Sequence, residues 1–564
     1  MKKFLIYLFV FQLFAVSFEA SGQNILYNEK INFQTDRDIY IAGEYMFFNC
    51  YCYNAEAKAH SKYAYLVLRN ENNVTITGVC LKLNNNVFSG SIYLPDTLST
   101  GHYQLVSFTN TMRNFAESNY FKKEIIVANR FDNELFRVYA ASLEIDSSSR
   151  SRKWEGYNSQ NNIVSILPER MHYAKREKIK VTLTALGLKG TESDQLTVSV
   201  REKTYQQNQD NTNALNLNNK RVCHHFPEVN SIILEGQVIS SENKQALSNV
   251  LVYLSTPDSI SNLQWARTNK YGMFFFPLND YYNFKNLIIN LPDNPLGQIV
   301  LDNKYNLTEP FKPSRFFSDS LLKDYIVKSQ GIVHVQKDYK SLVVKDLPDT
   351  FLGNNTPPLL YPPVTNPVYP SDFVALPDFV EISREILPFV RTRKKGLGYE
   401  TKIFNLNQND FFNQNPLILL DGVPINSINQ VISLGTEKIN KIEILPFKRY
   451  YGGQFFSGIL ALYSKTMEIN NIAWQTPMSI VNYVQLQPRS VFERPSYSKQ
   501  DKMPDFRQIL YWNPNFLLTS NEKASIEFFA SDNKGEFEIC IDGITADGRI
   551  IKSRATINIG TNFK

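Results

Sequence analysis

Residues 33–48 read "FQTDRDIYIAGEYMFF", and residues 166–181 read "ILPERMHYAKREKIKV". At a constant offset of 133, Arg37 falls on Arg170, Tyr40 on Tyr173, Glu44 on Glu177 and Phe48 on Val181, while acidic Asp36 meets acidic Glu169. The roles match position by position. A strand ends, a polar turn intervenes, a Tyr packs back, and a new strand starts. This internal repeat predicts two β-sandwiches of one type.

Outward from the first copy, residues 24–130 alternate short β-branched or aromatic runs with turn clusters, as in "YAYLVLRN" (63–70), "SGSIYLP" (89–95) and "GHYQLVSFTN" (101–110). Period-2 patterning at this spacing predicts one sandwich over 24–130, and the repeat predicts a second over 160–205. The polar runs "DSSSRSRK" (146–153) and "QQNQDNTNALNLNNK" (206–220) read as linkers, since neither has enough apolar surface for a core. From 231 the pattern restarts with "SIILEGQVIS" (231–240), "LSNVLVYLS" (247–255) and "GMFFFPL" (272–278), a small sandwich over 231–300. The stretch "TPPLLYPPVTNPVYP" (356–370) carries six prolines, which forbid a helix and predict a stiff linker over 356–378. Residues 379–465 mix helical and strand signals. Residues 504–562 return to period 2 and predict a C-terminal sandwich, with Phe537, Ile539 and Ile541 on one face and Glu536, Glu538 and Cys540 on the other.

Composition agrees with a β protein, with 31 Tyr and 39 Phe in 564 residues. The net charge of +6 is small for this length and gathers on no single face, which gives no case for nucleic acid. Met1-Lys2-Lys3, the apolar run from Phe4 to Phe18 and the small residues Ala20-Ser21-Gly22 predict a signal peptide over 1–22. No later stretch is apolar for long enough to span a membrane as a helix. Cys50, Cys52, Cys80, Cys223 and Cys540 are odd in number and scattered, so they form no disulfide framework. Cys50 and Cys52 share a strand face. Cys80 either pairs with one of them across a sheet or is buried, as all are, as a small apolar residue.

Four stretches resemble known families. "TDRDIYIAGE" (35–44), its repeat and "LPDTLSTGHYQL" (94–105) resemble the macroglobulin domain of the α-2-macroglobulin superfamily. Gly236-x-Val238, Leu247-x-x-Val250-x-Val252-x-Leu254 and Thr268-x-x-x-Gly272-x-Phe274-x-Phe276 resemble the carboxypeptidase regulatory-like domain, an accessory module without catalytic residues. "PLILLDGVPI" (416–425), "EKINKIEILP" (437–446) and "YYGGQFFSGILALYSK" (450–465) resemble the plug of TonB-dependent receptors, with "FVEISREILPFVRTRKKG" (379–396) as its opening segment. Residues 504–515 and 523–549 resemble a later macroglobulin-superfamily sandwich. The order of parts is similar to that of multidomain envelope proteins of Bacteroidetes-type bacteria. The fold class implied is mainly β, with tandem immunoglobulin-like or macroglobulin-like β-sandwiches plus a small α+β plug-like domain over 379–465.

The chemistry weighs against an enzyme. The macroglobulin thioester motif Cys-Gly-Glu-Gln is absent from the sequence, as are a zinc-protease His-Glu-x-x-His, a nucleophile elbow and a phosphate loop. Cys223-His224-His225 is the one compact donor cluster, and adjacent strand residues point to opposite faces. No catalytic residue, metal or cofactor is expected. Asp421-Gly422 between apolar runs signals a hairpin. Asp421 reads either as a partner contact or as a turn former that tolerates left-handed backbone. Tyr450 and Tyr451, with Phe455 and Phe456, read either as a contact surface or as plug-sheet core, and Gly452 and Gly453 read as the turn beside them, part of the same possible partner contact.

A receptor barrel of about 22 strands of roughly ten residues needs at least roughly 220 residues. Fewer than half that number follow Lys465, so the plug-like module is expected without its own barrel. The expected role is an exported, non-enzymatic envelope protein that binds other envelope proteins at the outer membrane. The alternatives are an accessory subunit whose plug-like module occupies or gates a separate outer-membrane barrel, and a thioester-free protease inhibitor.

Overall fold

The structure is a computed structural model that describes residues 29–53, 61–132, 163–186, 194–203, 225–282, 285–313, 320–339, 344–346, 359–472, 477–482, 486–493, 496–497, 503–519, 522–544 and 550–560. The expected signal peptide, the polar runs at 146–153 and 206–220, and Cys223 and His224 lie outside these residues.

The chain is mainly β. The first stretch carries β1 (Lys30–Thr35), β2 (Ile39–Ile41), β3 (Tyr45–Tyr53), β4 (Tyr63–Asn70), β5 (Thr75–Lys82), β6 (Val87–Tyr93), β7 (Gly101–Phe108) and β8 (Phe121–Ala128). Then come β9 (Val164–Pro168), β10 (His172–Tyr173), β11 (Lys178–Ala185) and β12 (Asp194–Glu202). A third stretch holds β13 (Ile232–Ser240), β14 (Leu251–Ser255), β15 (Gln264–Arg267), β16 (Met273–Leu278), β17 (Asn286–Asn290) and β18 (Gly297–Leu301). Helix α1 (Ser320–Tyr339) and β19 (Val344–Asp346) precede a mixed module. That module contains α2 (Phe379–Glu385), β20 (Val390–Lys395), β21 (Gly398–Asn405), β22 (Asp410–Phe411), β23 (Leu417–Leu420), β24 (Val423–Ile425), β25 (Ile439–Tyr451) and β26 (Gln454–Ser464). The chain ends its described course with β27 (Met478–Asn482), β28 (Ser490–Phe492), β29 (Ile509–Leu518), β30 (Lys523–Phe529), β31 (Gly535–Ile544) and β32 (Ile550–Ile559).

The first sandwich packs sheet β1-β3-β6 against sheet β2-β8-β7-β4-β5. Strand β3, "YMFFNCYCY", lacks the usual polar alternation because both its faces are covered. Met46, Phe48, Cys50 and Cys52 enter the sandwich core. Phe47 meets Phe492 edge-on at 5.3 Å, and Asn49 donates to Thr197 Oγ1 and to the Pro514 carbonyl, each at 2.8 Å.

The second sandwich corrects the expected domain division. Sheets β30-β11-β9 and β10-β32-β31-β12-β29 each mix strands from 163–203 with strands from 503–560. The stretches at 160–205 and 504–562, expected as two sandwiches, are two parts of one. The physical reason is strand number: β9 to β12 cannot close two sheets by themselves. Strand β12 is an interior strand of its sheet, antiparallel to the edge strand β29 on one side and to β31 on the other. Phe537, Ile539, Ile541, Ile551, Ile557 and Ile559 of the late segment are fully buried. At roughly 1.5–3 kcal/mol per side chain, their gross contribution exceeds roughly 9 kcal/mol. Everything between β12 and β29 is thus inserted into this sandwich.

The insertion begins with a third sandwich, sheet β16-β13-β18 facing sheet β15-β14-β17-β27. Its fourth strand, β27, returns from the far side of the mixed module. The first and third sandwiches share one continuous apolar core. The expected linker over 356–378 is not a free spacer in its described part. Leu360 and Tyr361 are buried, and Val368 exchanges backbone hydrogen bonds with Ile442 at 2.9 and 2.8 Å. Its prolines exclude a helix, and the extended backbone they leave is suited to such pairing.

Helix α1 was not legible as a period of apolar residues. Its buried stripe is Ile326, Ser329, Ile332, Val333 and Gln336, where Ser and Gln dilute the pattern. Ser329 meets a polar partner there, its Oγ accepting from Gln508 Nε2 at 2.8 Å. Ile326 and Val333 pack on Ile39, Ile41, Ile126 and Ala128 of the first sandwich. No described helix is long and apolar enough to cross a membrane.

The two repeat copies fold alike. Glu44 Oε2 accepts the Ile41 N–H at 2.8 Å, and Glu177 Oε2 accepts the Ala174 N–H at 2.6 Å. The Tyr40 hydroxyl accepts the Arg37 N–H at 3.3 Å, and the Tyr173 hydroxyl accepts that of Arg170 at 2.9 Å. Each Arg lies over its Tyr ring, at 5.0 and 5.1 Å, and pairs with its Glu. Gly43 (φ 95°) and Arg176 (φ 56°) take the left-handed backbone that the turn requires.

Candidate interaction surface

The mixed module, 359–472, is built on sheet β24-β23-β26-β25, flanked by the smaller sheet β20-β21-β22. Strands β23 and β24 join through Asp421 (φ 50°) and Gly422 (φ 80°), both left-handed as a two-residue type I′ turn demands. Asp421 is only 2% exposed. Its Oδ1 accepts from Ser464 N at 2.7 Å and Ser464 Oγ at 2.9 Å, and its Oδ2 from Ile469 N at 3.2 Å. Its carbonyl accepts the Asp258 N–H at 3.0 Å. The partner-contact reading of Asp421 is therefore corrected. The carboxylate fastens the hairpin to the end of β26, and the turn sits against the third sandwich. A Cβ added at Gly422 would lie 3.1 Å from Asp258 O.

Strands β25 and β26 turn through Gly452 (φ 57°) and Gly453 (φ 88°). The pleat divides the four aromatic residues beside this turn. Tyr451 and Phe456 join an apolar cluster with Trp265 and Tyr361, while Tyr450 (68% exposed) and Phe455 (48%) face solvent with ring centroids 6.3 Å apart. Gly452 lies over Trp265, where a Cβ would come within 2.9 Å of the indole nitrogen. Trp265 Nε1 donates to Tyr451 O at 3.3 Å. Below them, Tyr361 OH donates to Glu443 Oε2 at 2.7 Å, and Ser261 Oγ of the third sandwich lies 3.0 Å from Tyr463 OH. Burial, reinforced by Tyr463, pushes the Tyr361 phenol far up, so this network holds modules together as neutral hydroxyls. It clamps the module to the third sandwich.

The small sheet presents an open surface that was not singled out in the sequence. Helix α2 starts at Asp378, whose side chain accepts the Glu381 N–H at 2.9 Å, and buries Phe379, Ile382 and Ser383. After Pro388 the chain passes through Phe389 (φ 63°) into β20. Between α2 and the small sheet runs a groove of about 710 Å³, lined by Val380, Arg384, Phe389, Arg391, Arg393 and Phe411, among others. Phe404 and Phe411 meet edge-on at 5.3 Å, and the Arg391 guanidinium lies 3.8 Å from the Phe411 ring centre. Val390 and Thr392 point into the protein, where the Thr392 and Thr401 hydroxyls lie 2.9 Å apart. Arg391 and Arg393 take the opposite, outer face, and neither forms an ion pair among the described residues. The carboxylates nearby are engaged: Glu400 holds Lys395 at 2.7 Å and Lys402 at 3.6 Å, and Glu385 holds Arg384 at 2.7 Å.

Elsewhere, buried charge serves the junctions. Glu228 accepts from Lys304 at 2.7 Å and from Tyr65 OH at 2.8 Å. Glu235 Oε2 lies 2.6 Å from His225 Nδ1, and Glu235 Oε1 accepts from Asn110 at 2.9 Å. Both carboxylates lie between the first and third sandwiches. The sequence signal was a lone Glu in the apolar run "IILEGQV". No group of three metal-binding side chains occurs among the described residues. Cys50, Cys52, Cys80 and Cys540 are buried and unbridged. Burial pushes the thiols up, Cys50 to about 12 and Cys540 to about 11, which leaves them unreactive.

No family model and no curated protein matches the chain. Among solved structures, Salmonella α-2-macroglobulin reacted with methylamine aligns at 10% identity over 94% of this chain and 39% of its own, with a TM-score of 0.25. Trypsin-activated α-2-macroglobulin from Escherichia coli aligns at 9% identity over 95% of this chain and 42% of its own, also at 0.25. The Yersinia pseudotuberculosis adhesin InvE aligns at 9% identity over 48% of this chain and 58% of its own, at 0.14. The chain spans about two fifths of the length of these macroglobulins.

Proposed function

We propose that the protein is an exported, non-enzymatic envelope protein that binds partner proteins at the outer membrane, with the sandwiches as a rigid frame and the mixed module as the presenting element. The observation that carries this reading is the groove beside β20. It combines an aromatic floor, two arginines, Arg391 and Arg393, that form no ion pair among the described residues, and a strand edge without a described partner, on a module otherwise clamped to the third sandwich. Grooves with an apolar floor and a few convergent polar groups are the usual form of a recognition site. The charged start, apolar run and small-residue exit of the first residues support export. The test is cross-linking in whole cells followed by capture of the protein. Defined, reproducible protein partners are expected. A protein that runs alone under every cross-linking condition contradicts the reading.

A further inference from the structure

We infer that β20 is a docking edge which takes up an acidic, extended segment of a partner protein as an added strand. The inference rests on the reading that this module binds a protein, and it specifies the mode.

In sheet β20-β21-β22, β20 stands at the edge. Phe404 N donates to Phe389 O at 2.8 Å, which sets the alternation along the antiparallel pair. The backbone groups of Arg391 and Arg393 then point to β21, and those of Val390, Thr392 and Lys394 point outward. No described residue takes a hydrogen bond from these outward groups. An unpaired edge of this kind is a template for one more strand.

The side chains select the strand. Arg391 and Arg393 alternate on the exposed face, where Glu400 stands opposite Arg393 and holds Lys395, while Arg384 on the rim of the groove is held by Glu385. A second copy of β20 laid along this edge would set cation against cation, which disfavours self-pairing. A segment with carboxylates at every second position would place each between these cations, while its backbone satisfies the outward groups of Val390, Thr392 and Lys394. Phe389, Phe404 and Phe411 supply apolar area for the remainder of the segment.

The test uses the full chain and labelled peptides of about eight residues, long enough to span β20 at roughly 3.3 Å per residue. Three sequences are compared by fluorescence anisotropy: alternating Glu and Val, alternating Lys and Val, and the acidic peptide with Pro at the alternate positions that face the edge. The acidic peptide is expected to bind, and to bind about tenfold more weakly to the Arg391→Glu/Arg393→Glu chain. The Lys peptide is expected not to bind, and Pro is expected to abolish binding by removing the ladder donors. Equal binding of the Lys peptide, or undiminished binding of the Pro peptide, overturns the inference. The peptide series on the natural chain decides even where the double variant does not fold. Failure of the acidic peptide while whole-cell capture still yields partners sinks strand addition alone. Peptide binding without any captured partner sinks the broader reading instead.

Discussion

The turns at 35–44 and 168–177 carry the same motif and nearly the same hydrogen bonds, yet they sit in opposite surroundings. In the first, Asp36, Arg37 and Glu44 are buried. Arg37 donates to Gln508 Oε1 at 3.0 Å, and Arg201 donates to the Asp36 carbonyl at 3.0 Å. The turn is the joint between the first and second sandwiches. In the second, the Arg170 side chain is 60% exposed, and its pair with Glu177 faces water. The motif therefore dictates a local shape, and packing alone decides what its charges contribute. Two carboxylates, at different places in the motif, respond to these surroundings in opposite directions. Burial pushes the Asp36 carboxyl up to about 6 despite Arg37. The Ala174 N–H, helped by Arg170, holds Glu177 below the usual carboxylate range.

The largest contrast is expected at the arginines. Arg37→Ala leaves Asp36 and Glu44 buried without their cation, and should cost about 3–5 kcal/mol in a denaturant titration of the full chain. A loss under about 1 kcal/mol would break the claim that the first turn is a buried joint.

The next effect is a pH dependence. The folded state holds the Asp36 proton more tightly than the unfolded chain, whose value is 3.8. This group's contribution is therefore fully present below about pH 4 and is lost as pH rises through about 6, a change on the order of 3 kcal/mol. Asp36→Asn should flatten that part of the stability profile. Glu177 acts in the opposite direction, adding stability above its unfolded pKa and losing it as pH falls. A profile unchanged by Asp36→Asn would show that burial does not govern the joint.

Smaller effects sharpen the comparison. Tyr40→Phe removes a hydroxyl 2.7 Å from both Asp36 Oδ1 and Arg37 O, and should cost about 1–2 kcal/mol. Tyr173→Phe should cost less than about 1 kcal/mol, since among the described residues its hydroxyl bonds the N–H of the exposed Arg170 alone. Arg170→Ala should change stability by no more than about 0.5 kcal/mol, as exposed pairs do.

Much of this was readable in the residues themselves. The repeat, the Asp421-Gly422 turn and the two-sheet pattern of the first stretch all follow from local chemistry that one segment contains. The single second sandwich does not, because period 2 tells which face a residue takes and not which strand lies beside it. The shortness of 160–205 beside 24–130 was the signal that strands were missing. Asp421 was legible as a turn former, but its burial depends on Ser464 and Ile469, which only the folded chain brings near. The surface on β20 was hidden for a related reason. Nothing in the run "VRTRKK" singles out Arg391 and Arg393 before the sheet order shows an open edge and α2 forms the other wall.

Strand addition is tested most directly by a photo-crosslinking residue at the exposed position 394 of the same strand in intact cells, which leaves Arg391 and Arg393 in place, with position 170 as the exposed control. A discrete adduct from 394 is expected, with the crosslinked partner peptide acidic and extended, and none from 170. No adduct from 394, or the same adducts from both positions, would contradict it.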